Sequence, residues 1–467
     1  MDKRFIVFIC SVSALGGLLF GYDWVVIGGA KPFYEPYFGI SESPFMQGVA
    51  MSTALVGCLI GAMVTGWLSD RHGRKCLLIA AAILFTLSAM LTGWTSDFRV
   101  FNIARFIGGI GIGDASALSP MYIAEIAPSH MRGRLVSLNQ MTIVLGILAA
   151  QIVNWLVAEP VPETSTAAEI ADSWNGQTGW RVMFWAECAP AILFLILSFI
   201  IPESPRWQIF HSISTGDKGQ EMAARQTLTR IGGAGYADRE VVSIREATET
   251  EATERQGSLR ALLTHRYASV LTLGIVVAVF QQWCGTNVIF NYAHEIFSAA
   301  GYSVGDVLFN IVITGLANVI FTIVAFTVVD RWGRRSLMLF GACGLGLIYL
   351  ILGTCYYLQT SGFFMVILVV AAIGCYAMSL GPVTWVLLSE LFPNKVRGVA
   401  MATCTFALWA GCTTLTFTFP TLNRAFGSSG TFWIYSAICF AGLTFFRRRL
   451  HETKGKTLEQ IEKEMTL

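Results

Sequence analysis

Apolar positions in this chain fall in long unbroken runs. They cover 5–30, 47–69, 76–95, 101–123, 135–157 and 180–201 and, after a gap, 268–299, 307–329, 336–357, 363–388, 399–420 and 430–446. Most hold about 20 residues or more, enough to cross roughly 30 Å of hydrocarbon as a helix. Backbone groups in lipid must pair internally, and the runs lack strand alternation, so each run is predicted to be a helix. The pattern therefore predicts an all-α membrane protein with twelve transmembrane helices. Composition agrees: 54% of the 467 residues are hydrophobic and 13% charged, against about 25% charged in a soluble protein.

Basic residues set the expected orientation. Lys3 and Arg4 precede the first span, Arg71, Arg74 and Lys75 follow the second, and Arg132 and Arg134 the fourth. Arg331, Arg334 and Arg335 follow the eighth, Lys395 and Arg397 the tenth, and Arg447 to Arg449 the last. The opposite loops hold little beyond Lys31, Arg99 and Arg424. Both termini are expected in the cytoplasm of a multi-pass inner-membrane protein. The first run is too long and too glycine-rich for a cleaved signal peptide. A net charge of +2 gives no reason to expect a nucleic-acid partner. The eleven cysteines are scattered, mostly inside spans and with no C-x-x-C pair, as reduced packing residues are.

One long polar stretch, 202–266, carries nine Lys/Arg against nine Asp/Glu. It divides the chain into a six-helix bundle at 1–201, a cytoplasmic linker with short helices at 202–266, a second bundle at 267–449 and a tail at 450–467. The halves repeat. "GWLSDRHGRK" answers "FTVVDRWGRR", with Asp70/Asp330 and Arg74/Arg334 both 260 residues apart. "AEIAPSHMRGR" answers "SELFPNKVRGV", with Glu125/Glu390 and Arg132/Arg397 both 265 apart. "PESPR" (202–206) is echoed by "HETKG" (451–455). Two pseudo-symmetric bundles follow, and such repeats place a substrate site at the midplane between halves that rock about it.

Two D-R-x-G-R-[RK] loops, P-E-S-P-R after span six, F-G-Y-D in span one and E-T-K-G-K at the tail together resemble the sugar porter family of the major facilitator superfamily. The likeness runs from about residue 5 to 465. It implies the twelve-helix major facilitator fold and transport of a sugar by alternating access, without a cofactor.

The acids and arginines where spans meet the linker side, Asp70 with Arg71 and Arg74, Glu125 with Arg132 and their second-half counterparts, read as paired charges, since unpaired charge at that depth is costly; topogenic charge explains the arginines but not their acid partners. By resemblance Asp70, Arg74, Glu125, Arg132, Glu203, Arg206, Asp330, Arg334, Glu390 and Arg397 form bridges that close the cytoplasmic side.

Span seven, "VVAVFQQWCGTNVIFNYAHEIF", holds four amides, Gln281, Gln282, Asn287 and Asn291, around Gly285 and Thr286. An amide offers an acceptor and two donors, which suits vicinal hydroxyls, and a buried amide without a partner is expensive. The competing reading, interhelical hydrogen bonding at about 0.6 kcal/mol each, suits one amide better than a cluster. The resemblance makes Gln281, Gln282 and Asn287 the sugar-binding signature and adds Asn318. In span ten, Gly381-Pro382 permits a bend just before Trp385, whose indole face can pack on a sugar ring; its G-P-x-x-W setting matches the family. Trp409 and Phe20 are further pocket candidates, and Tyr292 resembles part of an outer gate. Where xylose- and glucose-carrying members have a span-five glutamine this chain has Ile147, and Leu408 replaces an amide in span eleven. A pentose, a hexose or a cyclic polyol such as inositol all fit.

Asp23 in "GGLLFGYDWVVIGG" is a carboxylate within an apolar run. Isolated, it would take a proton rather than carry charge. Arg105 in "NIARFIGGIGIG" is the cation that could approach, with small residues behind it for close packing. The resemblance assigns Asp23 and Arg105 to the symporters' coupling pair, and Glu187 to a gate or relay; a static salt bridge is the plainer alternative. No P-loop, metal-ligand cluster or nucleophile elbow is present, so no enzyme, cofactor or metal is expected. The leading expectation is a monomeric sugar–proton symporter. A proton-independent uniporter and a proton-coupled inositol or polyol transporter are the alternatives.

Overall fold

The computed structural model describes residues 2–162, 165–254, 265–360, 362–392 and 394–454. Among them the chain is helical throughout, without strands. Spans one to five are Lys3–Phe38, Pro44–His72, Arg74–Trp94, Phe98–Ile126 and Ser129–Val157. Span six joins a π turn at Asn175–Gly179 to helices Trp180–Trp185 and Cys188–Ile200. Linker helices occupy Pro205–Thr215, Lys218–Gly232 and Ala234–Glu254.

Span seven runs through His265–Trp283, Thr286–Asn291 and Ala293–Ala299. Spans eight and nine are Val304–Trp332 and Arg334–Tyr357, and span ten is Phe363–Met378 continued by Leu380–Leu391. The last helix, Asn394–Arg449, bends at Gly427 (φ 66°, ψ 176°) and so crosses twice. Among the described residues ten stretches are long and apolar enough to span on composition alone; Phe98–Ile126, which carries Arg105 and Asp114, and the second pass of the last helix complete twelve.

Two boundaries differ from the hydropathy reading. Span one continues past residue 30 to Phe38, through Pro32 and Pro36. Lys31 is thus a buried helix residue, its charge met by Glu35 one turn on and by Glu295 of span seven. Span six breaks at Glu187, where Pro190 withholds the amide that would bond the Ala186 carbonyl.

Within the first half, glycines bring helix backbones together. A Cβ on Gly109 would overlap the Ala54 carbonyl, and one on Gly57 the Phe106 carbonyl. Spans two and four cross there at backbone contact, as small-residue interfaces in membranes allow. Gly109→Leu is expected to lower the melting temperature of the detergent-solubilised protein, overpacking costing about 1–3 kcal/mol. An unchanged melting curve would show that the crossing yields at little cost.

Contacts between the halves gather at the end remote from the linker. Phe45 of span two meets Phe417 of span eleven with ring centroids 5.7 Å apart, and Trp155 of span five meets Phe309 of span eight at 5.5 Å. A Cβ on Gly28 would lie 2.9 Å from the Asn291 carbonyl. The halves are closed at that far end.

Candidate functional site

Asp23, Arg105 and Glu187, from spans one, four and six, are each 2% exposed or less. Arg105 Nη1 donates to Asp23 Oδ1, and Nη2 donates to the Asp23 backbone oxygen at 3.1 Å. The guanidinium lies 5.4 Å from the Phe184 ring centroid. Gly108 leaves room for this approach: a Cβ there would stand 2.9 Å from Asp23 Oδ2. Asp23 Oδ2, Arg105 Nε and Glu187 Oε1 have no hydrogen-bond partner, and Glu187 lies within electrostatic reach of both other groups. The cluster holds two acids and one base, so a single proton leaves it neutral.

The second cluster starts where span seven breaks. Gly285 has φ +90°, a left-handed conformation that favours glycine. The break turns the amides into a chain: Asn287 Nδ2 donates to Gln282 Oε1, Gln282 Nε2 to Gln281 Oε1 at 2.5 Å, and Gln281 Nε2 to the Tyr376 hydroxyl at 2.8 Å. Span ten breaks at Ser379 (φ −125°, ψ −87°), where Pro382 cannot bond the Met378 carbonyl; Gly381 lies just beyond, against Tyr376. Trp385 follows one turn later and is 40% exposed. Asn287 Nδ2 also donates to Cys412 Sγ of span eleven at 3.7 Å, and spans one and eleven together form an aromatic triad. Phe20, Trp24 and Trp409 have centroids 5.7–6.1 Å apart. Asn291 and Asn318 are buried, and the Tyr292 hydroxyl donates to the Thr416 carbonyl at 2.7 Å. Amide donors and acceptors together with aromatic faces can hold a polyhydroxylated ring.

At the linker end both halves carry the same charge cluster. Arg74 bonds Glu125 (3.0 Å) and reaches Asp70 at 3.3 Å, while Arg334 bonds Glu390 at 3.1 Å. Ser204 donates to Glu125 at 2.5 Å and Thr453 to Glu390 at 2.6 Å. Glu203 accepts the Arg74 amide and Glu452 the Arg334 amide, at 2.9 and 2.8 Å. The preceding Gly73 and Gly333 share φ values of 91° and 89°, so each carboxylate caps the next span. Burial pushes the Glu203 carboxyl above its usual range, against the pull of the Ser204, Lys75 and Arg74 amides.

The pairing differs from the sequence reading at one point. Glu125 takes Arg74 as its cation, while Arg132 stands exposed on the first turn of span five, where the helix start turns it towards solvent. Arg206 is exposed on the first turn of its linker helix. The side chains of Asp330 and Arg397 lie outside the described residues.

Sequence reasoning passed over several residues here. Trp24 and Tyr376 complete the aromatic and amide chains; Trp24 was legible one turn from Phe20. Asp114, accepting from Thr65 at 2.6 Å, is a further buried acid, and Gln151 a further buried amide.

A family model described as "Sugar (and other) transporter" matches residues 9–465. The chain is 37% identical to the D-xylose-proton symporter of Escherichia coli K12, over 99% of this chain and 96% of that one. It is 36% identical to the arabinose-proton symporter of Bacillus subtilis, over 98% and 95%. The inward-open conformation of the E. coli xylose transporter XylE superposes with a TM-score of 0.84 at 34% identity, covering 98% and 99% of the two chains.

Proposed function

The chain belongs to the sugar transporter family, and from that premise we propose that it carries a monosaccharide, a pentose or a hexose, across the inner membrane together with a proton. The buried Asp23–Arg105 pair with its unpartnered oxygen carries the proton part of this reading. Burying a titratable carboxylate in the membrane is costly and marks a functional site, and proton coupling is a function that needs one. In this reading the proton on Asp23 loosens the pair and lets the halves rock, Glu187 taking part as relay. The sugar is held by Gln281, Gln282, Asn287, Asn291, Asn318, Trp385, Trp409 and Phe20.

The clusters around Arg74–Glu125 and Arg334–Glu390 brace the linker end, and Tyr292 closes the far one. With both termini in the cytoplasm, a structure closed at the far end faces inward, and similarity to the inward-open xylose transporter supports this. Among its relatives, symporters for xylose and arabinose stand at 37% and 36% identity and one for galactose at 33%, which leans the reading towards a pentose. One chain contains both bundles and the site between them, so the monomer is the working unit.

The test is counterflow of labelled pentoses, hexoses and inositol in proteoliposomes, with external pH followed in parallel. One sugar is expected to exchange and to alkalinise the medium as it enters. Exchange without alkalinisation would reduce the protein to a uniporter; exchange of inositol alone would replace the monosaccharide.

A further inference from the structure

Gln151 of span five is 1% exposed, and neither its carbonyl oxygen nor its amide nitrogen has a hydrogen-bond partner. An amide so buried costs about 1–3 kcal/mol per orphaned group, and no hydrogen bond among the described residues offsets it. Its neighbours fix its depth. Gly29 backs onto the Asn154 carboxamide and Gly21 onto the Ile143–Ile147 backbone, so Gln151 lies level with residue 25 of span one. Gly28 lies against the Asn291 carbonyl, which sets Asn287, one turn back, level with Trp24. Gln151 thus shares a depth with the aromatic triad and the amide chain. Across the boundary between halves its Oε1 rests on Gly315, where a Cβ would overlap it, and Asn318 follows one turn on.

We propose that Gln151 is a sugar-selecting residue that hydrogen-bonds one substrate hydroxyl when the halves part at the far end. The inference rests on the sugar-transport reading. In the present conformation the amide is sealed and unsatisfied. Parting of spans five and eight frees both its groups, and a hydroxyl there adds affinity for that state alone. Ile147, one turn nearer the linker, offers no polar atom, so the hydroxyl addressed is the one pointing to the far end. A site built to bond a hydroxyl rejects the analogue lacking it.

The experiment measures KM in proteoliposomes for the transported sugar and its monodeoxy analogues, in the parent, Gln151→Leu and Gln151→Met. Both variants keep the volume and remove the orphaned groups, so melting temperatures at or above the parent's are expected. The parent should lose on the order of tenfold on one particular deoxy analogue. The variants should raise KM about as much for the full sugar and not at all for that analogue. Variants matching the parent on every compound, or raising KM equally on all, overturn the assignment. A parent that moves none of the sugars overturns the transport reading, and this inference with it.

Discussion

Asp23→Asn is expected to abolish accumulation of sugar against its gradient while sugar exchange continues at a reduced rate. The carboxamide fills the same volume beside Arg105 and keeps an oxygen for Nη1 to donate to, so the pocket and the helix packing survive. What it loses is the ability to take and release a proton. One proton descending about 100 mV supplies about 2.3 kcal/mol, enough for roughly 40-fold accumulation; without it the ratio should fall to about one. Loss of the buried anion also leaves Arg105 unneutralised except by Glu187, so the cycle is expected to slow. Proteoliposomes with an imposed pH gradient report accumulation, and counterflow in the same vesicles reports exchange. Uphill uptake persisting in the variant would remove Asp23 from coupling.

Spans, the repeat and the membrane class were legible because each depends on local composition. A run of about 20 apolar residues announces itself, and so does a loop signature occurring twice. The echo of "PESPR" in "HETKG" anticipated more than it stated. The structure gives Glu203 and Glu452 the same task, capping the span after Gly73 and Gly333, with Ser204 and Thr453 bonding the paired acids Glu125 and Glu390. The span-seven amides were legible because one break in one helix brings them together.

Relations across helices were harder to read. Asp23 and Arg105 are 82 residues apart, and family likeness rather than spacing joined them. Trp24 was masked by the carboxylate beside it, and Gln151 by the expectation that span five's polar position would be 147. Lys31 was misread outright. Hydropathy ends span one where a charge appears, yet a charge with a carboxylate waiting on another helix does not end it. Sequence alone offers no reason to connect residue 31 with residue 295.

That connection yields the second large effect: Lys31→Met is expected to shift the protein towards a state open at the far end. Lys31 Nζ pairs with Glu295 of the second half and lies 3.5 Å from Glu35 on its own helix and 4.5 Å from the Tyr292 ring centroid. The pair is a charge latch across the boundary that must part for that end to open. Breaking a buried pair by removing one partner costs about 3–5 kcal/mol. Lys31 is 4% exposed but Glu295 25%, so water relieves part of the stranded charge and the lower figure applies. About 3 kcal/mol against the closed state is roughly a hundredfold change in the equilibrium. The penalty falls on the closed state, since opening hydrates Glu295 and Glu35. Lys31→Met combined with Glu295→Gln removes one of the two stranded charges and leaves Glu35, so it should open the far end less than Lys31→Met alone, a non-additivity that loosened packing would not produce. Spin labels replacing Trp94 and Phe426, exposed residues of the two halves at that end, would report the separation. Identical distance distributions in parent and Lys31→Met would show that apolar contacts such as Phe45–Phe417, and not the ion pair, hold the far end shut.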